Sequence, residues 1–123
     1  MTAQRLATPA PVTARGDDSL TETVIIAASG TKTAAIDLKT ARLAGIQIPS
    51  AWDTANITLE VSADGESFVP LYNGAGTLVT LTVGGTSRVV QAPFADLLAY
   101  RHIKIVSTAT QTAARSLILH LVR

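Results

Sequence analysis

From Thr21 to the C-terminus, short apolar runs recur between turn residues at intervals of roughly ten, a rhythm that admits short strands and leaves no space for long helices. The clearest run covers residues 56–62, where Ile57, Leu59 and Val61 alternate with Thr58, Glu60 and Ser62. A period of two gives a strand one buried and one wet face. Residues 43–48 alternate too. Ala44, Ile46 and Ile48 are expected to point inward and Leu43, Gly45 and Gln47 outward, until Pro49, which lacks a donor, stops the ladder.

The turns follow from residue type. Ser29-Gly30 separates residues 23–28 from 33–38, and glycine's access to positive φ makes this pair read as a hairpin. Asp64-Gly65 reverses the chain into residues 67–72, residues 73–76 lead on to 78–83, and Gly84-Gly85 leads to 86–91. Pro93 opens a short helical turn in which Phe94, Leu97 and Leu98 are expected to cover one end of the fold. The last strands are residues 101–107 and 115–123. In the final one Leu117, Leu119 and Leu121 share a face, while Ile118 and Val122 make the other face partly apolar. Such a strand either lies centrally in its sheet or is covered by a neighbouring subunit. With no amphipathic helix of three turns and no internal repeat, the pattern predicts an all-β protein: a single antiparallel β-sandwich, jelly-roll-like, of eight or nine strands over residues 20–123.

Residues 1–19 differ in texture. Pro9 and Pro11 lie in a run of Ala, Thr and Arg without either period, which predicts an extended N-terminal arm. At 123 residues the chain has the size of one domain. Charged residues make up 15%, well below the roughly 25% of ordinary soluble domains, and a sparsely charged exterior suits a protein partly covered by neighbours. The net charge of +1 is dispersed along the chain, so no nucleic-acid footprint shows. There is no cysteine, hence no disulfide or thiolate chemistry. No run approaches the roughly 20 apolar residues of a membrane span, and no basic segment precedes an apolar core at the N-terminus; the expectation is a protein made in a cytoplasm.

Candidate reactive groups are few. His102 and His120 each occupy an alternate position in an expected strand, and strands of one sheet would bring them together, but without a carboxylate cluster they read as solvent-facing rings. Asp53, Asp64 and Glu66 are candidates for a calcium site at one end of the sandwich, against the plainer reading of turn chemistry and solvation. Trp52 is either an exposed sugar-stacking platform or a plug in the core. Arg15-Gly16-Asp17 matches an integrin-binding tripeptide in a setting where a chance match is the simpler reading. No nucleophile elbow, phosphate loop or dinucleotide fingerprint is present. The expectation is therefore no catalytic residue, no metal and no cofactor.

Ile48, Pro49, Trp52 and Asp53, then Ser62, Asp64, Gly65 and Phe68, and later Tyr100, Arg101, Ile103, Lys104 and Ile105 follow an order that resembles small structural proteins of tailed bacteriophages. The likeness covers residues 43–123. It implies a virion protein, made in the bacterial host, of the capsid decoration or cement type, or a tail or neck component. Its implied partners are the major capsid protein or other virion proteins, and copies of itself as a dimer or trimer. On that reading the arm laces across capsid subunits, with Arg5, Leu6, Pro9, Pro11, Val12 and Arg15 as interface residues. The Ser62-to-Gly65 hairpin is also similar to that of galactose-binding-like, discoidin-type jelly rolls, which implies a carbohydrate-binding module as the alternative.

Overall fold

A computed structural model describes residues 19–123; the expected arm lies outside the described residues, apart from Ser19. Nine strands and one helical turn follow in order: β1 (Ser19–Ile26), β2 (Ile36–Asp37), β3 (Arg42–Ile48), β4 (Ile57–Ser62), β5 (Val69–Pro70), β6 (Thr80–Leu81), β7 (Arg88–Gln91), α1 (Phe94–Leu97), β8 (His102–Ser107) and β9 (Arg115–Val122).

All pairings are antiparallel, and the chain folds like one long hairpin doubled over. β1 pairs with β9, β2 with β8, β3 with β7, and β4 with β5 and β6. Two further pairings, β9 with β3 and β8 with β4, close two sheets of order β1-β9-β3-β7 and β2-β8-β4-β5, with β6 also beside β4. This is the connectivity of a jelly roll, so the expected fold is what the chain adopts.

Alternation puts the large apolar side chains between the sheets. Leu117 and Leu119 of β9, Ile46 and Ile48 of β3, Ile57 and Leu59 of β4, and Ile103 and Ile105 of β8 are each at most 1% exposed. They form one cluster with Trp52 and Leu97. Burying each such side chain contributes about 1.5–3 kcal/mol. β9 lies between β1 and β3, so the last strand is central in its sheet.

Three local expectations are corrected. In β3, Leu119 pairs with Ile46 but Leu121 with Leu43, so Ala44 is an extra residue, a bulge that flips the alternation. Leu43 consequently points into the core, 1% exposed, and Ala44 does not. Around Ser29-Gly30 only one bridge forms, Ile26 to Thr33, because β1 and β2 belong to different sheets. The turn is real, with Gly30 N–H donating to the Ala27 carbonyl, but it carries the chain across the sandwich. Finally, residues 67–72 and 78–83, expected as two strands, meet each other only around the Tyr72–Leu78 bridge. β5 pairs with Glu60 and Val61, and β6 with Ile57 and Thr58, along the same side of β4, so residues 72–79 loop out of a single strand line. Of the helical turn, Leu97 is buried as expected while Leu98 is exposed.

Replacing Leu119 by Ala, on the central strand, is expected to destabilise the domain by about 2–5 kcal/mol, whereas Ile25→Ala at an exposed position is expected to change stability by less than about 0.5 kcal/mol. Chemical denaturation of both variants measures the contrast.

Candidate functional site

The same alternation that fills the core sends the other residues of β1, β9, β3 and β7 outward. One row across the sheet runs Thr23, Ile118, Gln47, Val89. The next runs Thr21, His120, Gly45, Gln91, and beyond the first row Ile25 pairs with Ser116. At one end Val122 pairs with Arg42. Arg42 is the only Asp, Glu, Lys or Arg in these rows. His120 Nε2 lies 3.0 Å from Gln47 Oε1, a hydrogen bond within the face. Gly45 keeps the face flat: a Cβ there would meet Val89 Cγ1 at 3.0 Å and the Val90 carbonyl oxygen at 3.4 Å. Ile25 and Val89, at opposite edges, are 55% and 54% exposed. Between them the face is mostly Thr, Gln, Ser and His, polar but almost free of charge.

The outward side of the other sheet has a different chemistry. Lys32 pairs with Glu60 at 2.7 Å, Arg101 grips Asp37 through two bonds of 2.7 and 3.0 Å, and Lys104 Nζ lies 4.7 Å from the centre of the Phe68 ring. This is a solvated, charge-paired face. Exposed pairs of this kind add little stability, but they keep the surface wet. The sandwich thus has one charged side and one almost uncharged side.

The residues singled out for chemistry hold loops instead. Asp53 and Asp64 flank opposite ends of β4, whose six residues span roughly 20 Å, so they cannot share an ion. Among the described residues no three His, Cys, Asp or Glu side chains gather. The Asp53 carboxylate accepts the Thr112 N–H at 2.7 Å and Arg115 Nη2 at 2.8 Å, and its own N–H donates to Gln111 Oε1 at 3.0 Å. Gln111 is fully buried, and its Nε2 donates to the Asp53 carbonyl and to Ser107 Oγ. This latch joins the loop before β4 to the loop before β9. Sequence inspection passed over Gln111, since a polar residue between two strands carries no local sign that it will be buried.

Asp64 does the same for the next turn. Its Oδ1 accepts N–H groups of Glu66 and Ser67 at 2.9 and 3.0 Å and the Ser62 hydroxyl at 2.9 Å. Gly65 follows at φ +83°, where a Cβ would come within 3.1 Å of the His102 ring. Only glycine satisfies both conditions. His102 is therefore packed beneath a turn, and His120 belongs to the other sheet, so the two histidines are not brought together.

Trp52 is 6% exposed and donates from Nε1 to the Ala55 carbonyl at 3.2 Å, which makes it a plug. Its edge borders a groove of about 350 Å³ lined by Thr54, Asn56, Thr82 and Thr108, but the ring offers no face for stacking a sugar. The arm positions Arg5, Leu6, Pro9, Pro11, Val12 and Arg15, and the Arg15-Gly16-Asp17 tripeptide, lie outside the described residues. The chain matches no family model, no curated protein and no solved structure.

Hydrogen bonds from Ser67, Glu66 and Ser62 hold the Asp64 carboxyl down at about 2, from an ordinary 3.8. The Thr112 N–H and the Arg115 guanidinium act in the same direction on Asp53, as Arg101 does on Asp37. A carboxyl that is more acidic when folded stabilises the fold above its unfolded value and loses that contribution as pH falls through its folded value. Resistance to denaturant is expected to be level above about pH 5 and to drop toward pH 2, with a shallower drop in Asp64→Asn. Denaturant midpoints measured across this range test it.

Proposed function

We propose that this chain is a structural protein of a tailed-phage virion, of the capsid decoration or cement type, whose task is to bind other proteins. The observation that carries the reading is the division of labour in the domain. The side chains with chemical potential, Asp53, Asp64, Gln111 and His102, are engaged in fixing loops, while a four-stranded face with one charged residue is left open. A face with a single charged residue spares a protein partner the cost of stripping water from ions. The class of that partner is proposed from the order of residues over 43–123 alone.

On this reading the domain sits against the shell and residues 1–18, which lie outside the described residues, bind neighbouring capsid subunits. Strand addition and apolar contact, rather than catalysis, supply the binding. The carbohydrate alternative required Trp52 as an open platform, and its burial removes the residue on which that alternative leaned.

Deleting residues 2–18 is expected to leave a domain with unchanged melting behaviour that no longer attaches to purified shells, scored by co-sedimentation. Full occupancy by the truncated protein would defeat the proposal.

A further inference from the structure

We propose that Asn73 is a site of spontaneous covalent modification, at which the Gly74 backbone nitrogen closes on the Asn73 side chain to form a succinimide that opens to aspartate or isoaspartate. The change needs only the chain and water, so it stands independently of any partner.

The loop between β5 and β6 carries the geometry. Asn73 N–H donates to the Thr77 carbonyl at 2.9 Å and Gly76 N–H to the Asn73 carbonyl at 3.0 Å, which fixes a tight turn with Gly74 and Ala75 at its tip. Asn73 Oδ1 accepts the Ala75 N–H at 2.9 Å and the Thr77 N–H at 3.1 Å. These donors face the oxygen on which negative charge develops when a nucleophile adds to Cγ, the arrangement of an oxyanion hole. Gly74 follows directly in the chain, is exposed, and a Cβ there would meet nothing within 4 Å. Its N–H makes no hydrogen bond among the described residues, so none has to break before the nitrogen reacts.

Atoms balance through the sequence of steps. The Gly74 nitrogen bonds to Asn73 Cγ, its proton passes through solvent water to Nδ2, and the Cγ–Nδ2 bond breaks with loss of ammonia, leaving a five-membered imide. One water then opens the ring. Cleavage between the nitrogen and Cγ restores the backbone with aspartate at position 73, whereas cleavage at the backbone carbonyl reroutes the chain through the side chain as isoaspartate. Either product puts a carboxylate at the rim of the charge-paired sheet. In the aspartate form the Ala75 and Thr77 donors remain in place, now in charge-assisted bonds.

Asn56, the other asparagine of the chain, is an internal control. Its Oδ1 accepts the Val83 N–H at 3.2 Å, and the residue after it, Ile57, is β-branched, fully buried and paired within β4. That backbone nitrogen cannot swing onto a side chain.

Peptide mapping by mass spectrometry decides, on the full-length protein kept folded in mildly alkaline buffer, with a synthetic peptide of residues 67–79 in parallel. The expected result is conversion of Asn73 to the acid no slower in the protein than in the peptide, with isoaspartate among the products and Asn56 still an amide. Gly74 lies outside the left-handed region and has open space around it, so Gly74→Ala is expected to keep the parent's melting curve. The added Cβ restricts the rotation that brings the nitrogen onto Cγ and is expected to slow conversion by roughly tenfold or more. Conversion in the folded protein that lags the peptide by roughly tenfold or more overturns the proposal. So does equal conversion of Asn56, or a Gly74→Ala rate equal to the parent's.

Discussion

The burial of β9 between β1 and β3 is the constraint from which the rest of the architecture follows. Its inward leucines, 117, 119 and 121, lie within one core with residues of both sheets. The strand's backbone is paired along both edges, so it can be placed only when the first and last described segments of the chain have met. That contact spans nearly the whole domain. Pairings of such long sequence separation bring no return until a large loop has closed, which ties formation of this sheet to formation of the complete fold.

Once β9 is fixed, polar residues finish the loops around it. The Asp53–Gln111–Arg115 latch anchors the entry to β9 against the entry to β4. Ser62, Asp64 and Gly65 shape the far end of β4 over His102. These groups are engaged in holding loops, and the surface divides into a charge-paired side and a nearly uncharged one.

Much of the fold was legible residue by residue. Alternation at Ile57, Leu59 and Val61, and again at Leu117, Leu119 and Leu121, marked the inward positions correctly. Trp52 was left between platform and plug, and its surroundings made it a plug. The bulge at Ala44 was missed because a strict period of two was carried through residues 43–48, and the extra residue is located only by the pairing with β9. The Ser29-Gly30 turn was recognised, yet its strands were assigned to one sheet, since a turn signal reports a reversal and not the sheet each arm joins. The excursion of residues 72–79 was likewise hidden, as two short segments on one side of β4 look like separate strands until their registers are compared.

The open face belongs to the same class of hidden feature. Thr23, Ile118, Gln47 and Val89 lie far apart in the chain, and no local window relates them. The sequence by itself determined the period of two, the places where the chain reverses, and the pool of large aliphatic side chains for a core, because each depends on a residue and its near neighbours. Tertiary structure alone decided the strand order, and with it which outward residues share a face and which polar groups are used up in latches. Those outcomes depend on distant segments competing to bury the same apolar surface, and that competition is resolved only when the whole sandwich closes.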